Sequence, residues 1–176
     1  MQHQLLASFA LATSNVVDAA PGIYARLHMW RQLLVALALG ASNIVVHALG
    51  MFAMLQWMLR EVERNDFLAR WRTVWTLLRF LGALVILHSA EIIIWGQFYV
   101  WRRCFPDVET AAYYSLMSYT TVGYGDVVIA NPWRLMGGLE AMFGVLLFGW
   151  STAALVTLLT YIQNAHFKKR FGHIPD

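Results

Sequence analysis

An all-α membrane protein, with three transmembrane helices and a shorter re-entrant segment, is predicted by three observations. Of the 176 residues, 59% are hydrophobic and 13% charged, against about a quarter charged in soluble domains, and mean hydropathy is +0.53. Charge is missing over whole stretches, each long enough to cross a hydrocarbon core that needs about 20 helical residues. Between the last two stretches lies a glycine-punctuated segment too short for a further pair of spans.

Residues 1–32 are assigned to no element. Leu5 to Ala12 has the look of a short signal-peptide core, yet no Lys or Arg precedes it. An interfacial helix, or an extension upstream of Met29, fits as well. The first span is 33–59, since no acidic or basic residue lies between Arg31 and Arg60. A basic connection, 60–79, carries Arg60, Arg64, Arg70, Arg72 and Arg79. The second span is 80–101, with Glu91 its only full charge. The re-entrant segment occupies 102–131. The third span falls within 132–164, and a tail, 165–176, carries Lys168, Lys169 and Arg170.

With three spans, eight of the 13 basic residues fall on one side. The positive-inside rule makes that side cytoplasmic and puts the N-terminus outside. These cations sit at span ends, with no basic face of interleaved aromatics, so no nucleic-acid partner is expected. Membrane lipids, anionic headgroups among them, are the counter-charge. The lone Cys104 excludes a disulfide within the chain.

The re-entrant segment opens on Pro106 and Asp107, a good helix N-cap, with Glu109 placed against the positive end of the helix dipole. A helix over 108–119 follows. It ends at Thr120 and Thr121, after which Gly123 and Gly125 alternate with Val122 and Tyr124. Non-helical backbone at membrane depth is tolerated only where protein surrounds it or water lines it. A desolvated cation needs replacement oxygens, which a stack of carbonyls supplies if they all face one way. Glycine at every second position permits the positive φ this requires. The Thr121 hydroxyl adds one more oxygen level, with Val122 and Tyr124 turned into the surrounding wall. One loop gives one oxygen per level, so several copies must meet around an axis.

Thr120-Thr121-Val122-Gly123-Tyr124-Gly125-Asp126 resembles the filter signature of the potassium channel pore-domain family, of a compact prokaryotic type with one extra N-terminal helix. The likeness extends over roughly 81–161. It implies a homotetramer, a four-fold channel conducting K+ through a filter of Thr121, Val122, Gly123, Tyr124 and Gly125, with K+ held at Thr121 to Tyr124 and no other cofactor. Thr120, Asp126, Tyr113 and Tyr114 would support the filter, Tyr114 by bonding Tyr124 and Tyr113 by bonding Asp126. The resemblance makes 80–101 the outer helix and 132–164 the inner helix. Val145, Phe148 and Thr152 would line a cavity, with Gly144 as hinge, while Gly137, Gly138 and Gly149 read as packing glycines. It places the topology in a plasma (inner) membrane, with the C-terminus cytoplasmic. A family carboxylate in the pore helix is replaced here by Met117, so gating through a carboxylate pair with Asp126 is not expected. The alternatives are a non-conducting accessory subunit and a non-selective cation channel on the same pore fold.

Asn43 and His47 are four apart on the first span, and His88 and Glu91 three apart on the second, so each pair shares a helix face. A carboxylate in the bilayer interior requires a partner. A cluster of these four across two helices would either lock the first span onto the rest or sense protons. Glu140 either braces the re-entrant helix or pairs with a neighbour at the interface. The spans contain no arginine ladder of a voltage sensor. No nucleophile and base stand together, and the histidines lack metal-ligand spacing, so no enzyme is expected.

Overall fold

The computed structural model describes the backbone of residues 2–64 and 70–172, and side chains from Tyr24 onward except Ala25, 62–70, Arg72, 165–166 and 168–171. The side chains of Arg64, Arg70, Arg72, Lys168, Lys169 and Arg170, on which the charge asymmetry leans, thus lie outside the described residues, as does Asp66 in the connection.

Four helices account for the described residues apart from the connections 102–107 and 120–135 and the terminal Gly172: α1 (Gln2–Arg64), α2 (Arg70–Trp101), α3 (Val108–Tyr119) and α4 (Met136–Phe171). Three are long and apolar enough to cross a bilayer, over Arg26–Glu61, Thr73–Trp101 and Met136–Asn164. The protein is an all-α membrane protein. The helix limits differ from the sequence reading, α4 included, which begins at Met136 and continues into the tail as far as Phe171. Helix α1 runs back to Gln2 through the unassigned stretch, and α2 begins at Arg70, so much of the basic connection is helical. Arginine is a good helix former, and its long stem lets the head reach water while the helix continues. Charge therefore marks where a span leaves the lipid, not where its helix ends.

Helix α3 lies between α2 and α4, and α1 packs on the far side against both α2 and α4. The short α3 starts where the Asp107 side chain accepts the Thr110 backbone N–H at 2.7 Å and the Thr110 hydroxyl at 2.9 Å. These bonds, the backbone one foremost, hold the Asp107 carboxyl below the usual carboxylate range. The folded state thus gains from the ionised form above the unfolded carboxyl pKa, and that gain is lost as pH falls through the depressed value. Asp107→Ala is expected to lower the melting midpoint by a few degrees at neutral pH and by less in acid, read by thermal denaturation in detergent.

Apolar packing falls into two layers. One gathers Trp95, Phe98, Tyr99, Tyr114, Tyr119, Trp133 and Phe143 around α3. The other joins Met51, Met58, Phe80, Leu84, Leu87 and Leu158 from α1, α2 and α4. Glycines let the helices approach: a Cβ on Gly40 would overlap the Phe143 ring, and one on Gly144 would overlap the Tyr119 carbonyl. Outward faces remain apolar, as at Leu34, Leu49, Val85 and Ile86, all more than half exposed, as lipid contact requires. Aromatic and cationic residues bracket both ends of α2. Arg102 lies over Trp101 and Trp133, the latter also met by Arg31 of α1, while Arg79 lies over Trp75.

Candidate functional site

The chain leaves α3 through Thr120, whose N–H and hydroxyl both return to the Leu116 carbonyl. Positive φ then recurs at every second residue: Thr121 at 60°, Gly123 at 49° and Gly125 at 78°. Alternation of this kind is the backbone condition for carbonyls that face one way. Glycine takes it freely. Threonine, being β-branched, does not, and holding it there costs about 1–3 kcal/mol. That strained position at the start of the loop was not legible in the sequence, where only the glycines signal positive φ.

Residues 121–126 are all exposed on their own chain. Val122 is 47% and Tyr124 75% exposed, so the wall expected behind these side chains is not formed by this chain. The Tyr113 hydroxyl donates to Asp126 Oδ2 at 2.8 Å. The Tyr114 ring is buried against Tyr99 and Phe105, its hydroxyl lies over Gly137, and within the chain no hydrogen bond joins it to Tyr124.

On α4, Val145 and Thr152 are exposed, and the Thr152 hydroxyl returns to the Phe148 carbonyl. Phe148 is only 36% exposed, because its ring packs on His88 at 4.3 Å and on Tyr119 at 5.4 Å. It closes a buried site as well as facing outward. Gly144, the expected hinge, lies in an unbroken helix against the Tyr119 carbonyl, an approach that a Cβ would block. Gly137 likewise faces Tyr114, whereas Gly138 and Gly149 face open space within the chain.

Between the two apolar layers lies a polar one. Glu91, fully buried, receives His47 Nδ1 at 2.8 Å on Oε1 and His88 Nδ1 at 2.9 Å on Oε2. The Tyr119 hydroxyl donates to the same Oε2. Ser151 Oγ meets His88 Nε2 at 3.0 Å and His47 Nε2 at 3.4 Å. Asn43 Nδ2 reaches only the Glu91 backbone carbonyl, at 3.5 Å, and its Oδ1 has no partner. Spacing along each helix identified the pairs on α1 and α2. It gave no sign of Tyr119 or Ser151, which arrive from α3 and α4 through tertiary packing. The expectation that the histidines lack metal-ligand grouping also needs correction, since His47, His88 and Glu91 bring donor atoms within 4.8 Å of one another. His47 comes from another helix, so linear spacing could not show it.

Glu140 is fully buried and accepts from the Tyr99 hydroxyl at 2.7 Å and from the Ser115 hydroxyl. It thereby ties α4 to α2 and to α3. Of the two sequence readings, the contacts are those of a brace on α3. Removing the carboxylate leaves Tyr99 without an acceptor, so Glu140→Ala is expected to cost about 2–4 kcal/mol, with Glu140→Gln costing less. Melting curves of the two variants check both values.

Residues 87–161, from the C-terminal half of α2 through α3 and the loop to α4, match the family model described as ion channel. No curated protein matches the chain, and no solved structure does. The matched segment holds Glu91, Tyr119, the 120–126 loop, Glu140 and Ser151, and leaves out α1.

Proposed function

We propose, on the premise that residues 87–161 are the pore module of an ion channel, that this chain is one subunit of a homotetrameric, potassium-selective channel conducting K+ passively. The observation that carries this reading is the alternation of positive φ at 121, 123 and 125 in a loop its own chain leaves bare. Backbone of that kind is unstable in lipid. Copies arranged around an axis would cover Val122 and Tyr124 and leave the carbonyls of Thr121, Val122, Gly123 and Tyr124 facing a shared ion path.

Rings of carbonyls replace the hydration shell of K+, and the filter chemistry asks nothing of the protein beyond holding them in place. Tyr113 on Asp126 steadies the outer end, and Thr120 on Leu116 steadies the inner one. The negative end of α3 points toward the inner side, where it favours a waiting cation. Val145, Phe148 and Thr152 would line that inner space. The excess of basic residues on one side supports a cytoplasmic C-terminus and an N-terminus outside, with a plasma membrane whose anionic lipids would meet the cationic tail.

The test is flux from liposomes holding the purified protein, with and without barium, together with the reversal potential under opposed potassium and sodium gradients. Barium-sensitive flux that follows the potassium gradient is expected. A reversal potential indifferent to potassium would identify a non-selective cation channel. An assembled protein that passes no ion would be an accessory subunit, and a monomeric one would overturn the reading altogether.

A further inference from the structure

The buried polar layer has a donor arrangement that hydrogen bonds alone do not explain. Both histidines aim Nδ1 at one carboxylate, at 2.8 and 2.9 Å, and Nε2 at one hydroxyl, at 3.0 and 3.4 Å. If both rings are neutral and donate from Nδ1, both Nε2 atoms are acceptors. Ser151 has a single proton to offer, so one Nε2 is left without a donor. Glu91 then also carries an uncompensated negative charge at the middle of a membrane span, which is costly. The layer lacks one positive centre.

We infer that His47, His88 and Glu91, with the Tyr119 oxygen as a fourth donor, form a binding site for one divalent transition-metal ion of the zinc class. The donor set is two imidazole nitrogens, the Glu91 carboxylate and the Tyr119 oxygen, which suits a four-coordinate Zn2+; Tyr119 releases its proton to solvent on binding, so that carboxylate and phenolate together balance the 2+ charge. Three helices supply it: His47 from α1, His88 and Glu91 from α2, and Tyr119 from α3. An ion bound by both Nδ1 atoms moves each ring proton to Nε2, and the two lone pairs of Ser151 Oγ then accept both N–H groups. Every ring nitrogen is satisfied, and the outer hydrogen bonds fix each ring's orientation, as is usual for metal-ligating histidines. Metal–donor bonds of about 2.0–2.2 Å ask the present nitrogen–oxygen separations to widen by roughly half an ångström, which turning of the Glu91 side chain provides. Trp150 on His47 and Phe148 on His88 close the site from α4.

Such an ion would clamp α1 and α2 to the residue from which the 120–126 loop departs. The site stands on residues outside that loop, so it holds whether or not the channel selects potassium.

The experiment measures metal in the full chain purified in detergent, both from zinc-supplemented cells and after EDTA treatment followed by titration with Co2+ and then Zn2+. About one zinc per chain is expected by mass spectrometry, with tetrahedral Co2+ absorption saturating at one equivalent and vanishing on addition of zinc. His28→Ala, an exposed histidine of α1, should keep that stoichiometry. Ser151→Ala should weaken affinity by about 10- to 100-fold, and the double variant His47→Gln/His88→Gln should abolish binding. Wild-type protein holding less than a tenth of an equivalent by both routes would overturn the site, even if its melting midpoint still followed pH, which would mark a network completed by a proton. Unchanged binding in the double variant would also overturn it.

Discussion

Replacing Gly123 by alanine is expected to lower potassium flux at least a hundredfold while leaving the chain folded. The residue sits at φ +49° with open space where a Cβ would go, so within one chain the penalty is only the left-handed strain of about 1–2 kcal/mol. In the proposed four-fold filter the strain would be repeated at one level of the ion path, about 4–8 kcal/mol per pore. Relief comes by turning the Gly123 carbonyl away. Liposome flux measured beside thermal melting separates the two scales: near-wild-type melting with flux at background is the expected pair, and full flux would remove the filter role from Gly123.

Gly144→Ala should fail in the opposite way, through stability. An added methyl would overlap the carbonyl oxygen of Tyr119, which is backbone and not the free end of a side chain. Nor can Tyr119 retreat, because its hydroxyl is bound to Glu91 and its ring is fully buried. Overpacking of this type costs about 1–3 kcal/mol or more, and the variant should show a lower melting midpoint and less assembled protein. A hinge role predicts another result: normal melting with altered opening. Measuring both properties on one preparation distinguishes them.

The two glycines show what the sequence could and could not convey. Gly123 signals its conformation by alternating with Gly125 between two large side chains, a local pattern. Gly144 is explained by Tyr119, 25 positions earlier, and only the packed structure pairs them. The same division runs through the chain. Uncharged runs revealed the spans, and Asp107 with Glu109 revealed where a short helix starts, because caps and solvation act locally. The limits of α1 and α2 were obscured because arginine ends a hydrophobic run without ending a helix. The partners Tyr119 and Ser151, and the burial of Tyr114 away from the loop, depend on how α3 settles between α2 and α4, which periodicity does not encode.

The aromatic and cationic brackets on α2 carry a mechanical consequence. Trp75 and Trp101 stand about 39 Å apart at about 1.5 Å of rise per residue, close to the roughly 40–45 Å thickness of a bilayer with its headgroup regions included. A thinner bilayer must tilt this helix. Because Glu91, midway along it, holds Tyr119, the last residue of α3, tilt is passed to the 120–126 backbone of the proposed ion path. Flux compared between vesicles of short and long acyl chains should therefore differ, making lipid thickness a lever on conduction.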